Sequence, residues 1–177
     1  MLTTDDLPAR LRAVKLFLCD VDGVLTDASV FMGAGGNELK RFSIRDGLGL
    51  RLLQQCGIRV GWVSARPSAA TTERANDLKV DFLHQSPAPK VAAIEELLGK
   101  AGVTWADVCY MGDDIVDLGA LKRAGFAAVP ADAIPEAKAL AHYVTHAAGG
   151  HGAVREVVEL VLRAQGQWEP LLAKFAS

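Results

Sequence analysis

Four apolar runs in this sequence lead to groups that can do chemistry. The first ends in Asp20-Val21-Asp22-Gly23, the second in Ser64-Ala65-Arg66, the third leads to Lys90 at a helix start, and the fourth ends in Gly112-Asp113-Asp114. In one crevice they supply two carboxylates at i and i+2, a hydroxyl, an ammonium and a second carboxylate pair. So many carboxylates packed together without a cation repel one another strongly. Hard oxygen ligands in this number suit Mg²⁺, which takes a few carboxylates, waters and a substrate phosphate. Asp20, Asp22 and Asp113 are the candidate metal-binding residues, with Asp114 a further ligand or an outer partner. The implied chemistry is phosphoryl transfer. Asp20 is placed as nucleophile, since a carboxylate attacking phosphorus splits hydrolysis into two easier steps. Asp22 is placed to protonate the leaving alcohol and then to deprotonate the attacking water. Ser64 would donate to the phosphoryl oxygens and Lys90 would neutralise their charge. Gly23 permits the tight turn that brings backbone amides to those oxygens.

Such groups need a scaffold that aligns strand ends. Apolar runs at 15–19, 58–63, 80–83, 108–111, 126–129 and 143–144 read as strands. Stretches 46–56, 68–78, 87–101, 114–124 and 152–165 read as helices, the first with Leu48, Leu50, Leu52 and Leu53 inward and the last with Val154, Val157, Val158, Val161 and Leu162 inward. Strands alternating with helices predict an α/β fold, a doubly wound, mainly parallel sheet with helices on both faces. Its ligand would sit off the carboxyl ends of the strands. The one departure is a β-hairpin at about 28–42, turning on Gly33-Ala34-Gly35-Gly36-Asn37. That glycine run lacks the sixth-position Gly and the following helix of a dinucleotide fingerprint.

The 177 residues suit a single domain, 1–177, with a tail at about 166–177. Nineteen basic against 21 acidic residues give a net charge of −2, which argues against nucleic-acid binding. Three widely spaced cysteines, Cys19, Cys56 and Cys109, read as buried reduced thiols. An acidic N-terminus without a basic and apolar leader, and no apolar stretch approaching membrane length, predict a cytoplasmic protein that engages no membrane.

The sequence resembles the haloacid dehalogenase superfamily of phosphotransferases, whose four motifs occur here in order: DVDGVLTD, a Ser after the second strand, a Lys, and GDD. Members usually insert a cap domain between the first and second or the second and third motifs, and the spacings here leave no room for one. An uncapped site has trouble excluding water and selecting a small substrate, so a large substrate or a neighbouring subunit must supply the lid. The hairpin, Phe42-Ser43-Ile44-Arg45-Asp46-Gly47-Leu48-Gly49 and Ala148-Gly149-Gly150-His151-Gly152 are similar to the capless 3-deoxy-D-manno-octulosonate 8-phosphate phosphatases, from about Lys15 to Gln167. The resemblance implies a Mg²⁺-dependent homotetramer whose hairpins assemble the oligomer, whose neighbouring subunits complete the site, and whose reaction serves lipopolysaccharide synthesis. It also implies substrate contacts at Asp22, Ser43, Ile44, Arg45, Asp46, Gly47, Arg51, Arg66, Arg74 and Lys90. Several fixed cations suit a sugar acid carrying carboxylate and phosphate.

Two departures stand out. Ala65 replaces the usual Gly of the second motif, which restricts that turn, and the tail Trp168–Phe175 is more apolar than is usual. A phosphatase for a nine-carbon sialic-acid-type sugar 9-phosphate is the neighbouring alternative. A phospho-aspartate receiver, also a small doubly wound domain with an acidic pocket and a Lys, is the alternative of another class. Asp27 reads equally as a loop cap, Asp117 as a cap or ion pair of its own helix, and His84, His142 and His146 as ordinary hydrogen-bonding residues. His151, in a glycine-rich loop, is a candidate site residue.

Overall fold

The computed structural model describes residues 7–176. The N-terminal stretch read for a leader, 1–6, and the last tail residue lie outside the described residues. In chain order the elements are α1 (Leu7–Ala13), β1 (Leu16–Cys19), a hairpin of β2 (Phe31–Met32) and β3 (Glu38–Leu39), α2 (Ile44–Gln55), β4 (Arg59–Ser64), α3 (Ala69–Leu78), β5 (Phe82–Gln85), α4 (Lys90–Ala101), β6 (Val108–Met111), α5 (Leu118–Leu121), β7 (Phe126–Val129), α6 (Pro135–Leu140), β8 (Tyr143–Val144), α7 (Ala153–Ala164) and α8 (Trp168–Ala176). The sheet runs β5-β4-β1-β6-β7-β8 with every neighbouring pair parallel.

Alternation along the strands divides the core into two layers. Phe17 and Cys19 of β1, with Val60 and Trp62 of β4, pack beneath Leu50 and Leu53 of α2, Ala75 and Leu78 of α3, and the Val154-Val157-Val158-Val161 stripe of α7. Leu16, Leu18, Val63 and Tyr110 point the other way, onto Ile94 and Leu97 of α4, Leu121 of α5 and Ala137 of α6. A sheet covered on both faces explains why its strands read as continuous apolar runs.

The chain leaves β1 toward β4 and β5 on one side, then crosses to β6, β7 and β8 on the other. Strand order therefore reverses beside β1, the position where such sheets hold ligands. Register aligns the ends there: Cys19 pairs with Trp62 and with Met111, so Asp20, Ser64 and Gly112 emerge at one edge. Between β1 and β4 lie only the hairpin and α2, and between β4 and β5 only α3, so the described residues contain no cap.

Local differences from the sequence reading have physical causes. Leu48 is 45% exposed, because the buried stripe of α2 runs through Asp46, Gly49, Leu50 and Leu53 and Gly49 lets α7 approach closely. The strand expected at 80–83 forms at 82–85, since the Val80 amide still closes α3 on the Ala75 carbonyl. The helix expected from 87 starts at Lys90, because a proline follows Ala88 and disfavours helical geometry there. The segment 114–124 splits into a 3₁₀ turn at Ile115–Asp117 and the short α5. The sequence reading assigned no element to the tail. It folds as α8, with Trp168 and Leu171 buried against its own domain and the guanidinium groups of Arg155 and Arg163 each 5.1 Å from the Trp168 ring centre. Cys19 and Cys109 are buried free thiols and Cys56 is partly buried. Among the described residues no helix is long and apolar enough to cross a membrane.

Candidate active site

The Asp20 amide donates to the Met111 carbonyl at 2.9 Å, so the nucleophile candidate leaves the sheet still tied to the neighbouring strand. Its Oδ1 accepts from the Val21 amide at 2.6 Å and its Oδ2 lies 2.7 Å from the Lys90 ammonium. Lys90 is the first residue of α4 and is itself buried. Behind it Asp117, wholly buried, binds Lys90 at 2.7 Å and the Tyr110 hydroxyl at 2.6 Å through Oδ1. Through Oδ2 Asp117 accepts from the Asp113 and Asp114 amides at 3.0 and 3.2 Å. One carboxylate thus fixes the lysine and shapes the loop that carries Asp113. Asp117 closes a capping box with Asp114, which extends the helix-capping role expected of it.

A cleft of about 250 Å³ opens above these groups, lined by Asp20, Asp22, Ser64, Arg66, Asp113 and Asp114 among others. Gly23, at φ +90°, packs directly against Asp113, where a Cβ would fall 2.0 Å from Asp113 Oδ2. Thr26, fully buried, accepts from the amides of Gly23 and Ala28 and holds that loop closed. The late glycine-rich loop supports it from behind: the Gly150 amide donates to the Val24 carbonyl at 3.0 Å, and a Cβ on Gly149 would lie 1.9 Å from the Gly23 oxygen. Ser64 Oγ accepts from the Arg66 amide and donates to the Arg66 carbonyl, both at 3.1 Å, so it must turn to meet a phosphate. Ala65 does not strain that turn, since among the described residues only Ala28 and Lys79 are non-glycine residues at positive φ.

Asp20, Asp113 and Asp117 each present a carboxylate oxygen within 4.8 Å of the others. Burial pushes the Asp113 carboxyl up to about 8, helped by Asp117 and Asp20. Burial also lifts Asp20 to about 6 against the pull of Lys90, with Asp117 adding to the rise. Burial alone would lower Lys90, but Asp117 and Asp20 outweigh it and raise its pKa. Asp113 Oδ1 is buried without a hydrogen-bond partner. A divalent cation fits this set, because it would engage that oxygen and remove the penalty on both raised carboxylates. Each Asp117 oxygen already accepts two hydrogen bonds, whereas each Asp20 oxygen has one partner and Asp113 Oδ1 has none, so Asp20 and Asp113 have lone pairs to offer it.

Of the residues singled out in the sequence, Asp20, Asp22, Ser64, Arg66, Lys90, Asp113 and Asp114 come together. Ser43, Ile44, Arg45, Asp46, Gly47, Arg51 and Arg74 lie outside the cleft of their own chain. Ser43 caps α2 by accepting from the Asp46 amide. Asp46 is buried and accepts from the Gly152 and Arg155 amides, which ties α2 to the start of α7. Arg51 binds Gln54 and the Leu78 carbonyl. Arg74 pairs with Asp77 and lies against Gly47, where a Cβ would meet its Nη2 at 2.5 Å. Ile44 and Arg45 are exposed. His151 is an exposed residue beside Arg41, and Asp27 caps its loop at the Ser29 amide while pairing with Arg41. The sequence reading overlooked Lys40, whose buried ammonium contacts Asp22, and Glu38, which binds Ser68 and Arg66. The signal for both is charge at alternate positions at the end of the hairpin, on the face turned toward Asp22 and the start of α3.

Comparison with known proteins narrows the family. The family model for haloacid dehalogenase-like hydrolases matches residues 83–157. The 3-deoxy-D-manno-octulosonate 8-phosphate phosphatase of Yersinia pestis is 41% identical over 93% of this chain and 88% of its own length. This chain belongs to that phosphatase family. The Escherichia coli BL21-DE3 family member is 39% identical over 92% of this chain and 86% of its own. The Moraxella catarrhalis member, solved in complex with a magnesium ion, a phosphate ion and a KDO molecule, superposes with a TM-score of 0.94 at 36% identity, covering 98% of this chain and 99% of that one. The parallel sheet flanked by helices and lacking a cap is thus the family's fold.

Proposed function

We propose that this chain is a Mg²⁺-dependent phosphatase that hydrolyses 3-deoxy-D-manno-octulosonate 8-phosphate to the free sugar acid and phosphate. The observation that carries the reading is the seating of Asp20 on Lys90 at the base of a cleft shared with Asp22 and Asp113. An Asp20 oxygen attacks phosphorus and the phosphorus–oxygen bond to the sugar breaks. Asp22 gives its proton to the departing alkoxide. Water then attacks the aspartyl-phosphate, its proton passes to Asp22, and the Asp20 carboxylate is released. Lys90 holds Asp20 in line and offsets charge, Ser64 donates to the phosphoryl oxygens, and Arg66 faces the anionic sugar acid at the rim. Asp20, Asp113 and the Asp22 segment would hold Mg²⁺, which supplies charge neutralisation for phosphate and carboxylates.

The same reading makes the protein a cytoplasmic homotetramer whose site is completed by a neighbour. Phe31, Met32 and Leu39 on the hairpin are 63%, 67% and 69% exposed and Ile44 at the start of α2 is 82% exposed, an apolar face suited to burial between copies. A neighbour docked there would bring groups of residues 43–47 or other cations toward an open cleft. The test is a phosphate-release screen over sugar phosphates with and without Mg²⁺, with kcat/KM compared on the eight-carbon and nine-carbon acids. Preference for the eight-carbon substrate is expected. Equal, poor rates on both would overturn the substrate assignment, and accumulation of a stable phosphoprotein would favour a receiver. A fully active monomer in sedimentation at assay concentration would overturn the shared site.

A further inference from the structure

Lys40 follows β3, and its side chain is 0% exposed although it springs from a short hairpin whose neighbouring residues face solvent. Its ammonium lies 2.7 Å from Asp22 Oδ1 and donates a hydrogen bond to Oδ2 at 2.9 Å. It also donates to Thr71 Oγ1 of α3 at 3.3 Å and lies 3.7 Å from Glu38 Oε1. Removing an ammonium from water costs several kcal/mol unless fixed partners replace the hydration. Here those partners are Asp22, Glu38 and Thr71. Among the described residues the Asp22 carboxylate has no other hydrogen-bond or ion-pair partner, and the Lys40 ammonium faces both of its oxygens.

From this geometry we propose that Lys40 is the positioning residue of the acid–base carboxylate. The inference rests on the phosphatase reading and deepens it. Asp22 acts twice, giving a proton to the leaving oxygen and taking one from water, so it must occupy one orientation in both steps. A lone carboxylate after the strand tip rotates freely, and misplacement by about an ångström is enough to lose most of the benefit of a positioned group. Lys40 lies within 2.9 Å of both oxygens and so fixes the plane of the carboxylate. Being sealed from solvent, Lys40 cannot itself reach the phosphate, and it acts through Asp22. The hairpin therefore has work inside its own subunit. Glu38, two residues earlier on the same face, extends the network to Ser68 and Arg66, so one strand braces the first and second motifs together.

The test separates the two chemical steps with full-length, Mg²⁺-loaded protein. An alkyl phosphate such as 3-deoxy-D-manno-octulosonate 8-phosphate needs the acid in the first step, whereas p-nitrophenyl phosphate, whose leaving group departs as a stable anion, needs Asp22 only in the second. For Lys40→Met, kcat on the sugar phosphate is expected to fall on the order of 10- to 100-fold with KM little changed. On p-nitrophenyl phosphate a nitrophenol burst equal to the enzyme concentration should persist at nearly the unmodified rate, followed by turnover slowed by the same factor. A merely structural role would depress the burst as well. The proposal is overturned if burst and steady state fall together, or if the sugar phosphate rate is unchanged. Should Lys40→Met fail to fold, Lys40→Gln is read by the same comparison and the same outcomes. If the unmodified chain releases no phosphate from either compound, the phosphatase reading has failed instead.

Discussion

Replacing Asp117 with Asn tests whether the buried carboxylate beneath the cleft holds the site together. The substitution keeps shape and volume but removes the charge and turns one oxygen into an NH₂ donor. Asp117 accepts four hydrogen bonds, from the Lys90 ammonium and Tyr110 hydroxyl on one oxygen and the Asp113 and Asp114 amides on the other. If the NH₂ faces the two amides, both are orphaned. If it faces the other side, the tyrosine hydroxyl can turn to accept, but Lys90 cannot. The second arrangement is cheaper, and it still loses a charge-assisted bond, about 1.5–3 kcal/mol, and leaves donor against donor. Lys90 keeps Asp20, so the full 3–5 kcal/mol of a broken buried pair is not expected, and about 3 kcal/mol is. For a chain of this size that lowers Tm by roughly 6–12 °C. In metal-free protein the loss should be smaller, because Asp117 also raises the pKa of Asp20 and Asp113 and its neutralisation relieves that repulsion. Urea unfolding with chelator and with saturating Mg²⁺ measures both values, and kcat should fall about tenfold as Lys90 loosens. A loss under about 1 kcal/mol in Mg²⁺, or one that is larger in chelator, would refute the account of Asp117 as the anchor.

Two further outcomes follow from the same geometry. Asp113 and Asp20 titrate near 8 and 6 in the folded chain, above the ordinary carboxylate value of about 4, so their contribution is intact below about pH 4 and is lost as pH rises through 6 and then 8. The Tm increment given by Mg²⁺ over chelator should therefore grow from pH 5 to 8.5, and an increment flat with pH would contradict the raised carboxylates. Gly149→Ala places a methyl 1.9 Å from the Gly23 carbonyl oxygen, a clash with backbone that cannot be relieved by a rotamer. It should cost about 3 kcal/mol or more in a thermal melt and reduce kcat, because the displaced loop carries Gly23 beside the phosphate site.

The alternation of apolar runs with helical stretches was enough to read the doubly wound fold, because two-sided burial leaves its mark on every strand. Asp20, Ser64, Lys90 and Asp113 were legible for a related reason: each follows or precedes an apolar run at the carboxyl edge of a parallel sheet, where polar groups have little structural cause to gather. Leu48 misled, since a run of leucines does not say which of them faces in until α7 and Gly49 set the contact face. The fold of the tail was missed although Glu169 and Pro170 at its first turn are helix-start signals, because Trp168 finds its place only against Arg155 and Arg163 of α7.

What the sequence determined by itself was the reactive inventory and its order along the chain: two carboxylates at i and i+2, a hydroxyl, an ammonium and a second carboxylate pair, with no room for a cap. Those are local properties, written in residue type and spacing. What only the tertiary structure decided was which charges face each other. Asp117 meets Lys90 across 27 residues and Lys40 meets Asp22 across 18. Asp46 belongs to the helix packing and not to its own cleft. Burial sets these pairings, because a charge removed from water must find its partner in the fold, and that partner is chosen by strand order and register and not by distance along the chain.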